Sequence, residues 1–376
     1  MMAVHAETVG SLLRPAWLLE ARERWQAGAL DATAFKRIED RAVDAAVALQ
    51  EGAGLEVVTD GEMRRLSFQS QLADAVEGFN RRDLDVFLWG QWHSEAGDWH
   101  KARPEELAVV APLRRRRSLS AEEFVYLRAR ATRVPKVTLP SPGLYANFWS
   151  PRQSTGAYGS LKAFLEDVAR ILREEVEELA AYGARYIQLD APHYALLIDA
   201  DVRTFYEQRG WSVEQWLDWG VALDNAVMAP LPGVTFGLHL CRGNQASSWL
   251  VSGGYEPIAA SIFRGTAAHR LLLEYDDARS GSFGPLAEVP DDRMVVLGLV
   301  SSKHGRLEDP GELLARIDQA SQYVGRERLA LSPQCGFGTS VLGNRLTADE
   351  QAAKLQLVCD VAAQAWGNLS ARPNSR

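Results

Sequence analysis

Residues 161–190 read LKAFLEDVARILREEVEELAAYGARYIQLD, and this stretch decides the fold. Phe164, Val168, Ile171, Leu172, Val176 and Leu179 recur at the helical period, so one apolar stripe runs along an otherwise charged segment. A few residues later the pattern changes to the short run Tyr-Ile-Gln-Leu at 186–189, which reads as a strand. A long amphipathic helix feeding a short apolar strand is the repeating unit of a parallel sheet covered by helices.

The same alternation extends in both directions. Strand-like runs stand at 4–8, 55–59, 136–139, 186–189, 235–240, 271–274, 295–300 and 329–331. Helical stretches stand at 32–53, 161–182, 213–228, 257–263, 311–324 and 348–366, the last preceded by Thr347 and Glu350 at capping-box spacing. Eight strands with intervening helices predict an α/β fold, a (β/α)8 TIM-type barrel, as a single domain over residues 1–376. Residues 63–135 break the rhythm, being too many for a crossover. They hold Trp89, Trp92 and Trp99 near His93 and His100, four arginines at 114–117 and a helical stretch at 122–131. This segment is expected to be an insertion after the second strand, a hairpin plus helices beside the barrel mouth. The arginine run suits an anion, but a solvated turn or an ion-pair face is the commoner reading.

Composition narrows the function. The chain has 376 residues, 47% hydrophobic and 24% charged, enough to bury a large core and too apolar for disorder. A formal net charge of −8 argues against a dedicated nucleic-acid binder. No apolar run reaches the roughly 18 residues that would suggest a membrane span, and the start, MMAVHAETVGSLLRP, shows no signal-peptide pattern. Three cysteines cannot build a disulfide framework. A cytoplasmic enzyme without nucleic-acid or membrane partners is expected.

The chemistry concentrates at strand ends. His239 and Cys241 are two apart, so on a strand their side chains project together at its C-terminal end. Glu274 closes the sixth strand after three leucines, and Cys335 follows the eighth in Ser-Pro-Gln-Cys-Gly. In a barrel all four converge on the rim where chemistry occurs. Imidazole, two thiolates and a carboxylate suit Zn²⁺. Singly, each residue has a plainer reading: a lone buried cysteine is ordinarily a small hydrophobe. Cys359, beside Leu355 and Val358 on an amphipathic helix, is read as core.

In their local contexts these segments resemble the cobalamin-independent methionine synthase family, most closely its short single-barrel members, and the resemblance covers most of the chain. Thr8-Val-Gly-Ser11 with Leu-Leu-Arg-Pro15 resembles the family's opening strand and loop, and Asp60-Gly-Glu62 its second-strand motif. Phe148-Trp149-Ser150 and Ile187-Gln-Leu-Asp190 are similar to segments at its third and fourth strands. His239-Leu-Cys-Arg-Gly-Asn244, Glu274 and Ser332-Pro-Gln-Cys-Gly336 are similar to its zinc-ligand contexts.

The resemblance implies a zinc-dependent S-methyltransferase. A thiol such as homocysteine would attack a methyl group carried by a methyltetrahydrofolate or a methylcorrinoid, the latter on a corrinoid protein as partner. Zinc favours a bound thiol as the nucleophilic thiolate. By the same resemblance Glu62 and Asp190 would hold the acceptor's ammonium group, Ser11 its carboxylate, and Trp149 would stack on the donor's flat ring. Asp60-Gly-Glu62 also fits a strand-end turn, Asp190 a cap and Trp149 a core aromatic. Arg14 and Arg279 are further candidates for anionic groups, with structural roles equally open. Two departures stand out. Ala191 replaces the family's usual Glu after Asp190, and Lys303, followed by His304, occupies the place of a histidine that protonates the leaving group, so either is a candidate acid. An epoxide:thiol transferase on the same zinc thiolate is the alternative activity, and a non-catalytic zinc- or thiol-binding barrel ranks below it.

Overall fold

The computed structural model describes residues 4–80, 89–102 and 107–367. In chain order its strands are β1 (Val57–Val58), β2 (Val76–Phe79), β3 (Gly90–Trp92), β4 (Trp99–Lys101), β5 (Val109–Arg115), β6 (Val134–Pro140), β7 (Tyr186–Asp190), β8 (Thr235–Leu240), β9 (Arg270–Glu274), β10 (Met294–Val300) and β11 (Leu329–Pro333). β1 and β6 to β11 form one seven-stranded sheet in sequence order, with every neighbour parallel. β7, β9, β10 and β11 are buried along their whole length, as strands covered on both faces must be. The expected first strand is reduced to single parallel bridges, Ala6 to Leu331 of β11 and Glu7 to Val57 of β1. One stretch thus touches both edges of the sheet, which is therefore curled.

The helices form where the sequence caps them. Asp31 accepts the Ala34 N–H to start Ala32–Ala53, and Gly54, at φ 93°, ends it in the left-handed conformation a side chain would resist. Ser160 caps Leu161–Ala181, whose buried face carries the expected stripe. The Thr347–Glu350 capping box begins Ala348–Trp366. Helix Ala16–Gln26 was not expected, because only Leu18, Ala21 and Arg22 on it are buried and no apolar stripe announces it.

Between β1 and β6 the described residues form two antiparallel pairs, β2 with β5 and β3 with β4, and helices Ser70–Ala75 and Ala121–Arg130. Arg115 reaches Glu175 and Glu178, and Arg116 lies 3.2 Å from Glu77, so part of the arginine run is an ion-pair face. The β3–β4 hairpin sits on the loop after β8. His93 and Trp249 exchange backbone hydrogen bonds of 2.8 and 2.9 Å, and the Trp99 indole donates to Ser248 Oγ at 3.0 Å.

Period two organises the concave face of the sheet. Tyr186, Gln188 and Asp190 share that face on β7, as do Arg270, Leu272 and Glu274 on β9. In the lowest layer the buried Glu7 carboxylate accepts from Lys136 Nζ at 2.8 Å, from Arg270 at 2.7 and 3.0 Å and from the Tyr186 hydroxyl at 2.9 Å. Burial alone would raise the Glu7 carboxyl, but Lys136 and Arg270 outweigh it and hold the group below its ordinary value. One layer up, Gly237 leaves room for the Tyr186 ring, which a Cβ there would meet at 3.1 Å. Gln188 links the layers, accepting from Lys136 Nζ at 2.8 Å and donating to Asp190 at 2.7 Å. The top layer, with His239, Asp190 and Glu274 at the C-terminal strand ends, is the site.

Candidate metal and active site

His239 is on β8, Cys241 just beyond it, and Cys335 just beyond β11. Their ligand atoms lie within 4.8 Å of one another, and all three residues are buried. His239 Nδ1 faces the Leu272 carbonyl at 3.2 Å. A carbonyl only accepts, so the proton sits on Nδ1 and the Nε2 lone pair is left free. That Nε2 is buried with no hydrogen-bond partner among the described residues. A carbonyl fixing the tautomer behind an orphaned ring nitrogen is the arrangement expected of a metal-binding histidine. The closeness of the two thiols, with His239 beside them, pulls the Cys241 thiol well below its ordinary value and pushes Cys335 up.

The triangle lies in the wall of a cleft that is also lined by Ser11, Glu62 and Asp190. Glu62 stands at φ 56°, a left-handed conformation uncommon for a side-chain-bearing residue, stabilised by its N–H donating to Asp60 at 2.9 Å. The Asp-Gly-Glu segment is thus both a turn and a means of presenting a carboxylate. Thr138 Oγ1 and Arg65 hold Glu62 Oε1 at 2.8 and 3.3 Å, while the buried Oε2 has no partner among the described residues. Burial pushes the Asp190 carboxyl up to about 7, with neighbouring Glu62 adding to the rise and His239 opposing it. Gly336 is required where it stands, since a Cβ there would fall 2.0 Å from Ser11 Oγ. Phe68, Asn244 and Thr339 also line the cleft. Asn244 closes the His-Leu-Cys-Arg-Gly-Asn segment, but nothing in the sequence signals Thr339.

Residues 4–364 match the family model for the catalytic domain of cobalamin-independent synthase. The chain belongs to the cobalamin-independent methionine synthase family. The protein YxjH of Bacillus subtilis, described as uncharacterized, is 33% identical over 372 residues, covering 96% of this chain and 94% of its own. A methionine synthase of Thermococcus kodakarensis is 27% identical over 330 residues, covering 88% of this chain and 85% of its own. A Listeria monocytogenes chain solved as a candidate vitamin-B12-independent methionine synthase superposes with a TM-score of 0.71 at 26% identity, over 97% of this chain and 98% of that one. Among the described residues of this family member, no helix is long and apolar enough to cross a membrane.

Other residues singled out from the sequence lie outside the cleft lining. Glu274 is not one of the clustered donors: Oε2 accepts the Arg242 N–H at 2.6 Å, and Oε1 accepts from Arg279 at 2.8 Å and Lys303 at 3.3 Å. Lys303 is buried beside Glu274 and Asp276. His304 is half-buried, and its imidazolium is disfavoured by burial and by Lys354 and Arg306. Trp149 packs in the core and donates to the Tyr158 carbonyl at 3.1 Å. Arg14 donates to the carbonyls of Glu62, Arg65, Gly338 and Ser340, so it ties the loops after β1 and β11 together.

Proposed function

We propose that this chain is a zinc-dependent S-methyltransferase that moves a methyl group from a small methylated donor to a thiol such as homocysteine. The observation that carries this reading is the free His239 Nε2 beside two cysteine sulfurs in a cleft that also holds the unpartnered Glu62 oxygen. One nitrogen and two sulfurs fit zinc, and the carbonyl behind the imidazole supplies the outer support such ligands need. His239, Cys241 and Cys335 would hold the metal, with Glu274 the fourth donor once it turns from its present partners. Zinc bound there supplies a Lewis acid that keeps an incoming thiol as thiolate.

The remaining roles fall to the chain's own side chains. Glu62 and Asp190 orient the acceptor through its ammonium group, and Ser11 receives its carboxylate. The curled sheet, closed by the 4–8 segment as an eighth member, keeps water from the buried triangle. Within 63–135, the expected insertion, Phe68 reaches the cleft; Trp149 supports the loop after β6, and Lys303, rather than His304, is the cation connected to the site, through Glu274. Three thiols without disulfides suit a cytoplasmic setting. A corrinoid-protein partner has no support among the relatives and is not proposed.

The test is an activity screen of thiols against donors, with methyl-folate, methylcobalamin and simple epoxides as donors. Methylation of homocysteine supports the reading. Turnover with epoxides alone transfers it to the alkyl-transferase alternative, and zinc binding without any turnover supports a non-catalytic barrel. Glu62→Gln is expected to weaken homocysteine binding roughly 10- to 100-fold, the worth of a buried charge-assisted hydrogen bond, while leaving zinc content unchanged. Equal affinity by calorimetry would show that the ammonium group is held elsewhere.

A further inference from the structure

Glu62 meets the cleft with one carboxylate oxygen and the protein interior with the other. Thr138, on β6, accepts from Arg65 Nη1 at 2.7 Å, so the single hydrogen of its hydroxyl is left for Glu62 Oε1 at 2.8 Å. Gly10 walls in the same oxygen, since a Cβ there would meet it at 3.0 Å. Arg65 stands only three residues along the chain from Glu62, yet touches it at one point, Nη1 to Oε1 at 3.3 Å. A second carboxylate claims the guanidinium. Glu123, in the first turn of the helix Ala121–Arg130, accepts from Arg65 Nε at 3.0 Å and from Nη2 at 2.8 Å. Glu62, Arg65, Glu123 and Thr138 are all buried, so little water competes for the guanidinium and the two carboxylates divide it between them. The shorter, forked contact belongs to Glu123, which lies away from the cleft.

We propose that Glu123 is a positioning residue that draws the Arg65 guanidinium away from Glu62 and leaves Glu62 as a carboxylate able to take the acceptor's ammonium group. This inference rests on the acceptor reading above. The segment 63–135, which supplies both Arg65 and Glu123, then sets selectivity for an amino-acid thiol through a residue that does not touch it. Without the Glu123 charge, Arg65 turns to Glu62 as its remaining carboxylate. The ammonium group must then compete with a guanidinium already paired there.

The test is calorimetric binding of two thiols to the zinc-loaded full chain: homocysteine, and the mercaptobutanoate that differs from it only in lacking the amino group. Wild type, Glu123→Gln, Glu62→Gln and the double variant are compared at about pH 8. Burial pushes the Glu123 carboxyl up to about 7, with Arg65 opposing and Asp60 adding to the rise, so the carboxylate is charged under those conditions. Glu123→Gln should weaken homocysteine roughly tenfold or more, the worth of a charge-assisted hydrogen bond, and leave the mercaptobutanoate within about threefold of wild type. Adding Glu123→Gln to Glu62→Gln should cost nothing further, because the two act through one carboxylate. If Glu123→Gln does not fold, Thr138→Val, which removes the hydroxyl between Arg65 and Glu62, must show the same selective loss. Equal losses for both thiols, additive losses in the double variant, or no loss at all overturn the inference. If Glu62→Gln alone still loses homocysteine selectively, the acceptor reading stands without it. A wild type that binds the two thiols alike, or neither, overturns both.

Discussion

Cys335→Ala is expected to strip most of the zinc from the purified protein, whereas the wild type should carry about one Zn²⁺ per chain. Cys335 is one of only three clustered donors among the described residues. Outer-shell partners alone change metal affinity roughly 10- to 100-fold, so removing a direct sulfur ligand should cost more. The loss should extend to activity if, as proposed, the metal keeps the acceptor sulfur deprotonated near neutral pH. Cys359→Ala is the control: this half-buried thiol, raised to about 12 by burial, lies on the helix Ala348–Trp366, outside the donor cluster. Metal analysis of both variants decides the matter, and unchanged zinc in Cys335→Ala would remove the site assignment.

Glu7→Ala is the second large effect, and it falls on stability. The variant leaves Lys136 and Arg270 fully buried without their carboxylate. Breaking a buried ion pair from one side costs about 3–5 kcal/mol, because the stranded charge has no solvent to turn to. Here one carboxylate serves two cations and a tyrosine that come from β6, β9 and β7, so its loss also unlinks the 4–8 segment from the sheet. The folded Glu7 carboxyl lies below its ordinary 4.5. Its contribution is therefore complete above about pH 4.5 and is lost as pH falls through the lower folded value. Urea unfolding of wild type and variant at pH 7 and pH 4 measures both. A difference at pH 7 no larger than the roughly 0.5 kcal/mol of an ordinary surface substitution would show that the cluster does not tie the segment in place.

What was legible in the sequence was what period two and period 3.6 encode. His239 and Cys241 are two apart where a strand ends, so their convergence needed no tertiary information, and Cys335 joined them because the strand it follows lies in the same sheet. Seven of eight strand-like runs became strands of the sheet, and the Thr347 capping box marked its helix correctly. The run at 4–8 did not form a continuous strand. Its backbone pairs at a few points only, while the Glu7 side chain makes the tie through two cations and a tyrosine hydroxyl contributed by three distant strands, which no local pattern records. The position of Glu274 was hidden for a similar reason: Arg279 and Lys303 come from loops after two different strands, and only the fold shows that both spend themselves on it. Arg14 stayed open between anion binding and a structural role because a lone arginine near a substrate loop carries no sign of the four carbonyls that claim it. Trp149 sits in a motif-like segment, but its indole N–H is satisfied by a backbone carbonyl nine residues on and the ring lies within the core.

The claim beneath all of this is that the histidine and the two cysteines share one metal that takes up the sulfur of the acceptor. Zinc X-ray absorption on the full chain, with and without homocysteine, addresses it directly. The account predicts two sulfur neighbours in the resting protein and one more when homocysteine is added. A zinc environment without sulfur, or a sulfur count that homocysteine leaves unchanged, would contradict it.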